Sequence, residues 1–580
     1  MRERKNSKTD WRGRLVILGI FSALLVVSAR LFYWQIIASP SLKSLATRQY
    51  EQVLSKVGSR GNLYFSDGSL LVGNERVYRL FAEPKLLPDD RSELAKKLST
   101  LVLSEDQDFQ KASPSAQEER FSVVAETFEK KLSGDEKQWV GLKEKITEQT
   151  RQAIEQLKIP GIGFDSYEQR LYPEASAAAH ITGFVGKTDD GEPIGYFGIE
   201  GALEQELMPR IARDLIGRDA LGSKIFTQAT QQQVLDGRDI TTTLRRDMQL
   251  MVERELLKGV EKYGAKAGEA IVVDPKTGKI RALAAVPSFY QPDFIDYDSE
   301  SYRNPSLGSL YEPGSTFKIL TVAAGLDSGV IEPDTQCDIC DGPRHFGAYT
   351  IRTWNDVYHP NTTMREGLAA SDNTAMMFIT DRLGAENFEN YLHSFGIGEA
   401  LDIDLQGDTA TVFPKDWRPV ELATRSFGQG ISISSLQLVR AVSAIANNGE
   451  MPSLSIVESA YDPATNTTHV KPPGESRRVI SPETARTLTE MLVYAAQHGE
   501  AQWVFKDTYP IAGKTGTSQV ASSGGYEEDA TIASFIGFAP PDNPDFLLLI
   551  KLTEPTSSPW AAETAAPLWH TIAEQIAVSW

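Results

Sequence analysis

The sequence predicts an α+β protein in which a C-terminal domain, at about 236–580, follows an elongated N-terminal pedestal at 38–235 and one transmembrane helix. Strand-like runs stand at both ends of the C-terminal domain, with helical stretches between them. Its antiparallel sheet therefore draws strands from distant parts of the chain and is flanked by helices and a helical subdomain. The 580 residues are too many for one hydrophobic core, which favours two or three folded units.

The composition limits the classes of function. Hydrophobic residues make up 41% and charged residues 24% of the chain, which is ordinary for a protein that folds in water. The formal net charge of -19 argues against a nucleic-acid partner, because a phosphate backbone would be repelled. Cys337 and Cys340, the two cysteines, form either a local disulfide or two inert thiols. No second cysteine pair completes a zinc site, so we expect neither a metal nor a cofactor.

The N-terminus predicts a membrane anchor and its orientation. Residues 15–37 form a largely apolar run that is long enough to cross a bilayer, with Arg30 able to snorkel outward. Basic residues concentrate before this run, so residues 1–14 are expected in the cytoplasm and the bulk of the chain outside it. A cleaved signal peptide with a small-residue site at 27–29 is the alternative. Apolar and aromatic residues continue past that site, which favours a retained anchor.

The pedestal mixes short strand-like runs with polar helical stretches. Its segment 104–158 is rich in charged residues. Four apolar residues recur in it at helical spacing: Phe121, Val124, Phe128 and Leu132. We interpret the segment as a solvated helical subdomain.

The C-terminal domain opens with a strand and an amphipathic helix, in ITTTLRRDMQLMVERELLKGVEKY. The next run, EAIVVDPKTGKIRALAAVP, predicts a hairpin around an Asp-Pro turn. Its Lys276-Thr277-Gly278 belongs to that turn and carries no chemistry. Three strand candidates close the chain: YPIAGKTGTSQV, ATIASFIGFAP and DFLLLIKLTEP.

A candidate nucleophile lies at Ser315, in the run EPGSTFK. Proline and glycine end the preceding segment, so Ser315 is predicted at the start of a helix with Lys318 one turn further on the same face. The surrounding residues are apolar, and burial favours the neutral amine of a lysine. Lys318 is therefore a candidate base for a serine hydroxyl that is otherwise a weak nucleophile. A capping serine followed by a snorkelling lysine is the alternative for this motif taken alone.

Two further motifs follow in order. The S-D-N at 371–373 stands at the start of an apolar helical stretch, where a simple helix cap is the alternative. The K-T-G-T at 514–517 lies in a strand-like run, and its glycine permits close approach of another backbone. The three motifs together resemble the signature of the penicillin-recognising serine transferases.

The resemblance extends to class B penicillin-binding proteins and covers about residues 11 to 580. YEPGSTFK, RSFGQGISISSLQLVRAVSAIANNGEMPS and AGKTGTSQV followed by ASFIGFAP are similar to segments of their transpeptidase domain. SRGNLYFSDGSLLVGN, at 59–74, resembles the first conserved box of their non-catalytic pedestal. No glycosyltransferase domain is recognisable ahead of it. The resemblance implies a penicillin-binding transpeptidase fold for 236–580.

The resemblance implies a peptidoglycan D,D-transpeptidase. Ser315 would attack the D-Ala–D-Ala carbonyl of a stem peptide and release D-Ala, with Lys318 as general base. Ser371 would relay a proton, and Asn373 would hold the substrate amide. A neighbouring stem peptide would then take the acyl group, and a β-lactam antibiotic would remain on Ser315.

The third motif would recognise the substrate carboxylate. Lys514 would set the electric field around Ser371 and that carboxylate. Thr515 and Thr517 would bind the carboxylate, and Gly516 would complete the substrate-binding residues. The resemblance places the protein in a bacterial cytoplasmic (inner) membrane. The ASFIGFAP run resembles the septal, cell-division branch, whose partners would be a polytopic lipid-II polymerase and other divisome membrane proteins.

Several alternatives share the motifs. An elongation-type class B transpeptidase differs in the strand that follows the K-T-G motif. A β-lactamase is expected to be shorter and to carry an E-x-x-L-N segment, which the sequence lacks. A β-lactam sensor would need a cytoplasmic output domain. A non-catalytic divisome scaffold would be free to lose catalytic groups, all of which are present here.

Overall fold

The computed structural model describes residues 11–37, 58–133, 138–210, 235–408, 410, 413, 417–505, 509–522 and 525–580. The chain separates into two compact units. The first contains the N-terminal helix, and the second comprises 59–209 together with 235–580.

The N-terminal helix, α1, runs over Trp11–Phe32 and continues as a π-helix over Tyr33–Ile37. Leu15–Ile37 has a mean hydropathy of 2.4, and none of it is buried inside the protein. Its length and composition agree with the predicted membrane span. Residues 1–10 of the predicted cytoplasmic tail lie outside the described residues, and the orientation stays a prediction.

The second unit contains eighteen strands among the described residues. Seven precede the C-terminal sheet: β1 Leu63–Tyr64, β2 Leu70–Ala82, β3 Val140–Ile146, β4 Ile162–Leu171, β5 Phe184–Lys187, β6 Pro193–Tyr196 and β7 Asp239–Thr242. The others are β8 Ala267–Val273, β9 Ile280–Val286, β10 Arg344–Phe346, β11 Tyr349–Ile351, β12 Glu450–Met451, β13 Val457–Asp462, β14 Thr467–Val470, β15 Arg477–Arg478, β16 Ala512–Ser522, β17 Gly525–Ala539 and β18 Phe546–Thr553.

Its helices divide in the same way. The N-terminal part has α2 Arg91–Leu103, α3 Gln107–Lys111, α4 Pro114–Leu132, α5 Glu148–Gln156, α6 Ala179–Thr182, α7 Gly198–Ala202 and α8 Glu204–Leu207. The C-terminal part has α9 Arg246–Tyr263, α10 Pro305–Gly308, α11 Lys318–Asp327, α12 Met364–Ala369, α13 Asn373–Leu383, α14 Ala385–Ser394, α15 Pro419–Arg425, α16 Ser435–Ala446, α17 Pro482–His498, α18 Gln502–Phe505 and α19 Ala565–Ser579. Short 3-10 helices lie at Pro84–Leu86, Gln291–Asp296, Ser299–Tyr302 and Gly314–Phe317.

The sheet of the C-terminal domain has the order β16-β17-β18-β8-β9, and every pairing in it is antiparallel. Strands from both ends of the domain meet where β18 pairs with β8, as the sequence predicted. The predicted runs contain β9 and β18 and overlap β8, β16 and β17, which extend beyond them. One face packs on α9 and α19 around the buried Trp569, while the other packs on the central helices that carry the candidate nucleophile.

A second sheet joins the two ends of the pedestal to the C-terminal domain. Its order is β14-β13-β7-β1-β2-β3, and β4 also pairs with β2. The short strand β7 pairs in parallel with β1 and antiparallel with β13. β7 therefore belongs to this mixed sheet and not to the catalytic one, which a local sequence pattern does not reveal.

The charged segment 104–158 is only partly helical. The helical prediction is confirmed for α3, α4 and α5, and Phe128 and Leu132 are buried in a small core with α2. It is wrong for β3, which pairs with β2. Val140, Leu142 and Ile146 face the core there while charged residues face solvent, so partner strands decide the structure.

Two local predictions are settled. Cys337 and Cys340 form a disulfide and are both fully buried, so the first of the two alternatives is confirmed. The K-T-G at 276–278 lies in the turn between β8 and β9, where the Asp274 carboxylate accepts from the backbone N–H of Lys276 at 3.0 Å. The prediction of a turn without chemistry agrees with this position.

Candidate active site

The nucleophile candidate lies on a tight turn that leads into a buried helix. Ser315 occupies the 3-10 helix Gly314–Phe317, and Lys318 begins α11 directly afterwards. The predicted helix start is confirmed, with a first turn that is 3-10 in geometry. Ser315 is half-buried, whereas Phe317 and Lys318 are fully buried. The turn therefore presents the serine to the cleft and its lysine to the interior.

Glycines allow this turn to be held from two sides. Gly314 has φ = 57°, a left-handed conformation that a side chain rarely adopts. Gly428 lies so close that a Cβ on it would stand 2.3 Å from the carbonyl oxygen of Gly314. On the other side, a Cβ on Gly516 would stand 2.7 Å from Cγ2 of Thr316. The nucleophile turn is thus clamped between the F-G-Q-G loop and the K-T-G strand.

Lys318 connects the first motif to the second. Its Nζ donates to the carbonyl oxygen of Ser371 at 2.5 Å and to Oδ1 of Asn373 at 2.8 Å. Oγ of Ser371 lies 3.3 Å from the same nitrogen. The ammonium therefore has three oxygen neighbours, none of which carries a full negative charge.

The pKa of the Lys318 amine is lowered to about 7, chiefly because the group is buried and also because the cation of Lys514 lies nearby. Asp372 and Glu500 act in the opposite direction and raise this pKa. The physical reason is that a buried ammonium without a carboxylate partner is poorly solvated. A large fraction of Lys318 is consequently neutral at neutral pH and is able to accept a proton.

The S-D-N motif is a strained turn before α13. Ser371 has φ = 58° and is buried, an unusual conformation for a residue other than glycine. Asp372, and not Ser371, caps α13, because its carboxylate accepts from the backbone N–H groups of Thr374 and Ala375. The Asn373 amide donates to the carbonyl oxygen of Arg352 at 2.8 Å. The cap at Asp372 thus holds Ser371 and Asn373, its neighbours in sequence, in contact with Lys318.

The K-T-G-T motif lies on β16, which is the terminal strand of its sheet. Its register on β17 pairs Lys514 with Ile536 and Thr517 with Ala533. Oγ of Ser518 donates to the carbonyl oxygen of Glu312 at 2.7 Å and so ties the strand to the nucleophile turn. The outer edge of β16 therefore borders the cleft, where an extended peptide could add to it.

Lys514 and Thr515 form a polar chain that ends on a carboxylate. Nζ of the buried Lys514 donates to Oγ1 of Thr515 at 3.1 Å. That hydroxyl donates to Oε2 of Glu500 at 3.1 Å. Burial lowers the pKa of Lys514, and Glu500 opposes this shift. Oγ1 of Thr517 accepts from the backbone N–H of Ala561 at 3.1 Å, which leaves its own proton available to a ligand.

The structure thus brings the three predicted motifs to one cleft. The helix cap that the sequence offered as the alternative for the S-D-N motif is present at Asp372. Sequence reasoning missed Glu500 as the end of the polar chain. Glu500 has no motif of its own, and its only signal is its position shortly before the K-T-G strand. Among the described residues, no group of three or more His, Cys, Asp or Glu side chains is placed to hold a metal ion.

The comparisons with known proteins agree with this arrangement. The family model described as the penicillin binding protein transpeptidase domain matches residues 268–574. The model described as the penicillin-binding protein dimerisation domain matches residues 55–242. The predicted domain boundary, at 235–236, remains a prediction.

Two relatives match over most of their length. Stage V sporulation protein D of Bacillus subtilis is 29% identical, over 97% of this chain and 85% of its own. The probable peptidoglycan D,D-transpeptidase PenA of Neisseria gonorrhoeae is 28% identical, over 94% of this chain and 88% of its own.

Solved structures share the fold. Penicillin binding protein 2X from Streptococcus thermophilus superposes with a TM-score of 0.71 at 21% identity, covering 90% of this chain and 79% of that one. Penicillin binding protein 3 from Mycobacterium tuberculosis, complexed with aztreonam, gives a TM-score of 0.67 at 23% identity, covering 90% of this chain and 96% of that one.

Proposed function

The chain belongs to the class B penicillin-binding proteins, and from this premise we propose that it is a serine-type peptidoglycan D,D-transpeptidase with Ser315 as its nucleophile. The observation that carries the proposal is the placement of Lys318 between the first and second motifs, buried and bonded only to neutral oxygens. Such a lysine is suited to deprotonate a neighbouring serine hydroxyl.

In the proposed acylation, neutral Lys318 takes the proton of Ser315 as Oγ attacks the D-Ala–D-Ala carbonyl. The carbonyl oxygen becomes negative and is stabilised by the backbone N–H groups of Ser315 and Thr517. Collapse of this intermediate breaks the peptide bond. The departing D-Ala nitrogen receives the proton from Lys318 through the hydroxyl of Ser371, which lies 3.3 Å from Nζ.

Substrate binding is assigned to the second and third motifs. Asn373 holds the substrate amide, and Lys514 supplies positive charge for the terminal carboxylate. Thr515 and Thr517 bind that carboxylate. Because Gly516 has no side chain, the strand that carries them can approach the nucleophile turn closely. A β-lactam follows the same route and stays on Ser315. The aztreonam complex of a related fold is consistent with this proposal.

The decisive experiment is acylation by benzylpenicillin, followed by intact-mass spectrometry and peptide mapping. The wild-type protein is expected to gain one adduct on Ser315, and Ser315→Ala none. Ser309→Ala, in the segment just before the turn, is a control that keeps the adduct. An adduct that persists in Ser315→Ala would refute the assignment of the nucleophile.

We further propose that the enzyme works in septal cell-wall synthesis, with a lipid-II polymerase and other divisome membrane proteins as partners. The ASFIGFAP run after the K-T-G strand and the match to a sporulation protein support this role. Depletion in the host tests it. Filaments with unfinished septa support the septal role, whereas round cells that still divide indicate the elongation-type alternative.

The proposed location is the bacterial inner membrane, with a cytoplasmic N-terminus and an external catalytic domain. The basic residues before the apolar helix support this orientation. Protease added to spheroplasts is expected to digest the catalytic domain. Protection of that domain would indicate the opposite orientation, with the catalytic domain in the cytoplasm.

A further inference from the structure

A cavity of about 230 Å³ lies beside the S-D-N turn, and the catalytic scheme above assigns no ligand to it. Its wall includes two carboxylates, Asp372 and Glu500, and two histidines, His359 and His498. Trp354 completes this group, and the described lining residues include no lysine or arginine. The cavity wall therefore mixes apolar and polar surface, and its two carboxylates are negative charges.

The cavity borders two catalytic motifs. Ala370 and Asp372, which flank Ser371, are among its lining residues. Glu500 also lines it and reaches the third motif through its 3.1 Å hydrogen bond with Oγ1 of Thr515. A ligand in this cavity would consequently lie next to the residues that surround the acyl-enzyme.

The charges of the wall are incompletely compensated. Asp372 is 2% exposed, and its Oδ2 accepts no hydrogen bond from any described residue. The other oxygen, Oδ1, accepts from the backbone N–H groups of Thr374 and Ala375 and from the Thr374 hydroxyl, so the carboxylate is satisfied on one oxygen only. Glu500 is half-buried and accepts from a neutral hydroxyl. When Lys318 is neutral, the two carboxylates, Asp372 and Glu500, face one active-site cation among these residues, Lys514. The cavity therefore favours a cationic ligand.

Trp354 adds a second feature suited to a cation. Its indole is 48% exposed and lies in edge contact with Trp560, with ring centroids 5.1 Å apart. An exposed indole face attracts an ammonium group through its electron-rich centre. Carboxylates and an aromatic ring on one wall are the usual means by which proteins recognise alkylammonium groups.

We propose that this cavity binds the ammonium group of the acceptor stem peptide and that Glu500 is the carboxylate that receives it. The inference rests on the transpeptidase function proposed above, because the second half of that reaction requires an amine. The ammonium gives one proton through Glu500 to solvent, and its nitrogen then bonds to the acyl carbon. The bond to Oγ of Ser315 breaks, and the second nitrogen-bound proton passes through Lys318 to that oxygen. The products are one new amide and free Ser315.

The test is the partition of one acyl-enzyme between an amine and water. The full-length protein in detergent is acylated with a benzoyl-D-alanyl thioester in the presence of Nα-acetyl-lysine amide, whose side chain is cationic. The ratio of amide product to hydrolysis product is measured at several amine concentrations. Glu500→Gln is expected to lower this ratio about ten-fold, as for loss of one charge-assisted contact. Glu490→Gln, exposed on α17, removes the same charge and is expected to leave the ratio unchanged.

A neutral amine separates charge recognition from a structural effect. With methoxyamine as acceptor, Glu500→Gln is expected to change the ratio by less than about two-fold, since no cation is captured. In the wild-type protein, added salt should lower the ratio for the cationic amine and not for methoxyamine, a measurement that needs no variant. Equal losses for both amines, or a cationic ratio insensitive to both salt and Glu500→Gln, would overturn the proposal. Failure of the thioester to acylate the wild-type protein would instead refute the proposed function.

Discussion

Two lysines buried in the C-terminal domain have opposite surroundings. Lys318 contacts the oxygens of Ser371 and Asn373, which are neutral. Lys551, on β18 and 4% exposed, forms a salt bridge with the buried carboxylate of Glu269. Its Nζ also lies 4.3 Å from the ring centre of Tyr311. Both amines are removed from water, but only Lys551 has a full negative charge beside it.

The difference shows that burial alone does not make a lysine a base. Glu269 is itself held by the hydroxyls of Ser306 and Ser435, at 2.9 and 2.7 Å, so the ion pair is embedded in donors. A buried ion pair held in this way has a structural role. Lys318 lacks this compensation, and its amine therefore loses its proton near neutral pH.

The largest expected effect is on the rate of acylation, which should depend on Lys318 and not on Lys551. Lys318→Ala should lower the rate constant for acylation by benzylpenicillin about 10²–10⁴-fold, because the general base is removed. The measurement is stopped-flow or quenched-flow acylation at pH 7. A thermal unfolding curve of the same variant checks that the fold is retained. A rate within ten-fold of the wild type would assign the proton transfer to another group.

The second prediction concerns stability. Lys551→Met should lower the free energy of unfolding by about 3–5 kcal/mol, because Glu269 is left buried without its counter-charge. Calorimetry should show a fall in Tm on the order of 10 °C. The folded fraction of Lys551→Met should still be acylated by benzylpenicillin with a larger rate constant than Lys318→Ala. A stable variant would mean that the ion pair contributes little.

The third prediction restores part of that loss. Adding Glu269→Gln to Lys551→Met removes the uncompensated charge while keeping an acceptor for the two serine hydroxyls. The double variant should recover about half of the lost free energy of unfolding, since pairs of this kind are strongly non-additive. Strictly additive losses in the two single variants would show that the two side chains act independently.

The sequence predicted the site where the chemistry is local. Ser315 and Lys318 are three positions apart, so one turn of helix suffices to place them together. The order of the three motifs supplied the rest through resemblance to a family. Glu500 could not be found in this way, because it lies in the connection between α17 and β16 and contacts Thr515 only when the chain has folded. Such a contact depends on tertiary structure and leaves no spacing in the sequence.

The fold was predictable to a similar limit. Long apolar runs gave β8, β9 and β18 correctly, because strands buried on both faces read as continuous hydrophobic segments. The strand β3 was missed, since its exposed face carries charges in a segment that otherwise has helical spacing. The partner strand β2 decides its conformation, and that partner lies about 60 residues earlier in the chain.

The fourth prediction uses the pH dependence of acylation. Lys318 acts as a base when neutral, and its pKa is lowered to about 7. The rate should therefore rise about ten-fold per pH unit well below pH 7 and level off above it. Acylation by benzylpenicillin from pH 5 to 9 measures this profile. A rate independent of pH over that range would contradict a neutral Lys318 as the base.

The smallest expected effect comes from Asp372→Asn. Asparagine caps a helix as well as aspartate does, so α13 should keep its N-terminal hydrogen bonds. The substitution removes the negative charge that contributes most to raising the pKa of Lys318. The midpoint of the pH profile should consequently move to lower pH, and the rate at pH 6 should rise by less than about ten-fold. Asp381→Asn, a partly exposed carboxylate further along α13, is the matched control and should leave the midpoint in place. A midpoint that moves to higher pH in Asp372→Asn would show that the carboxylate does not stabilise the protonated lysine.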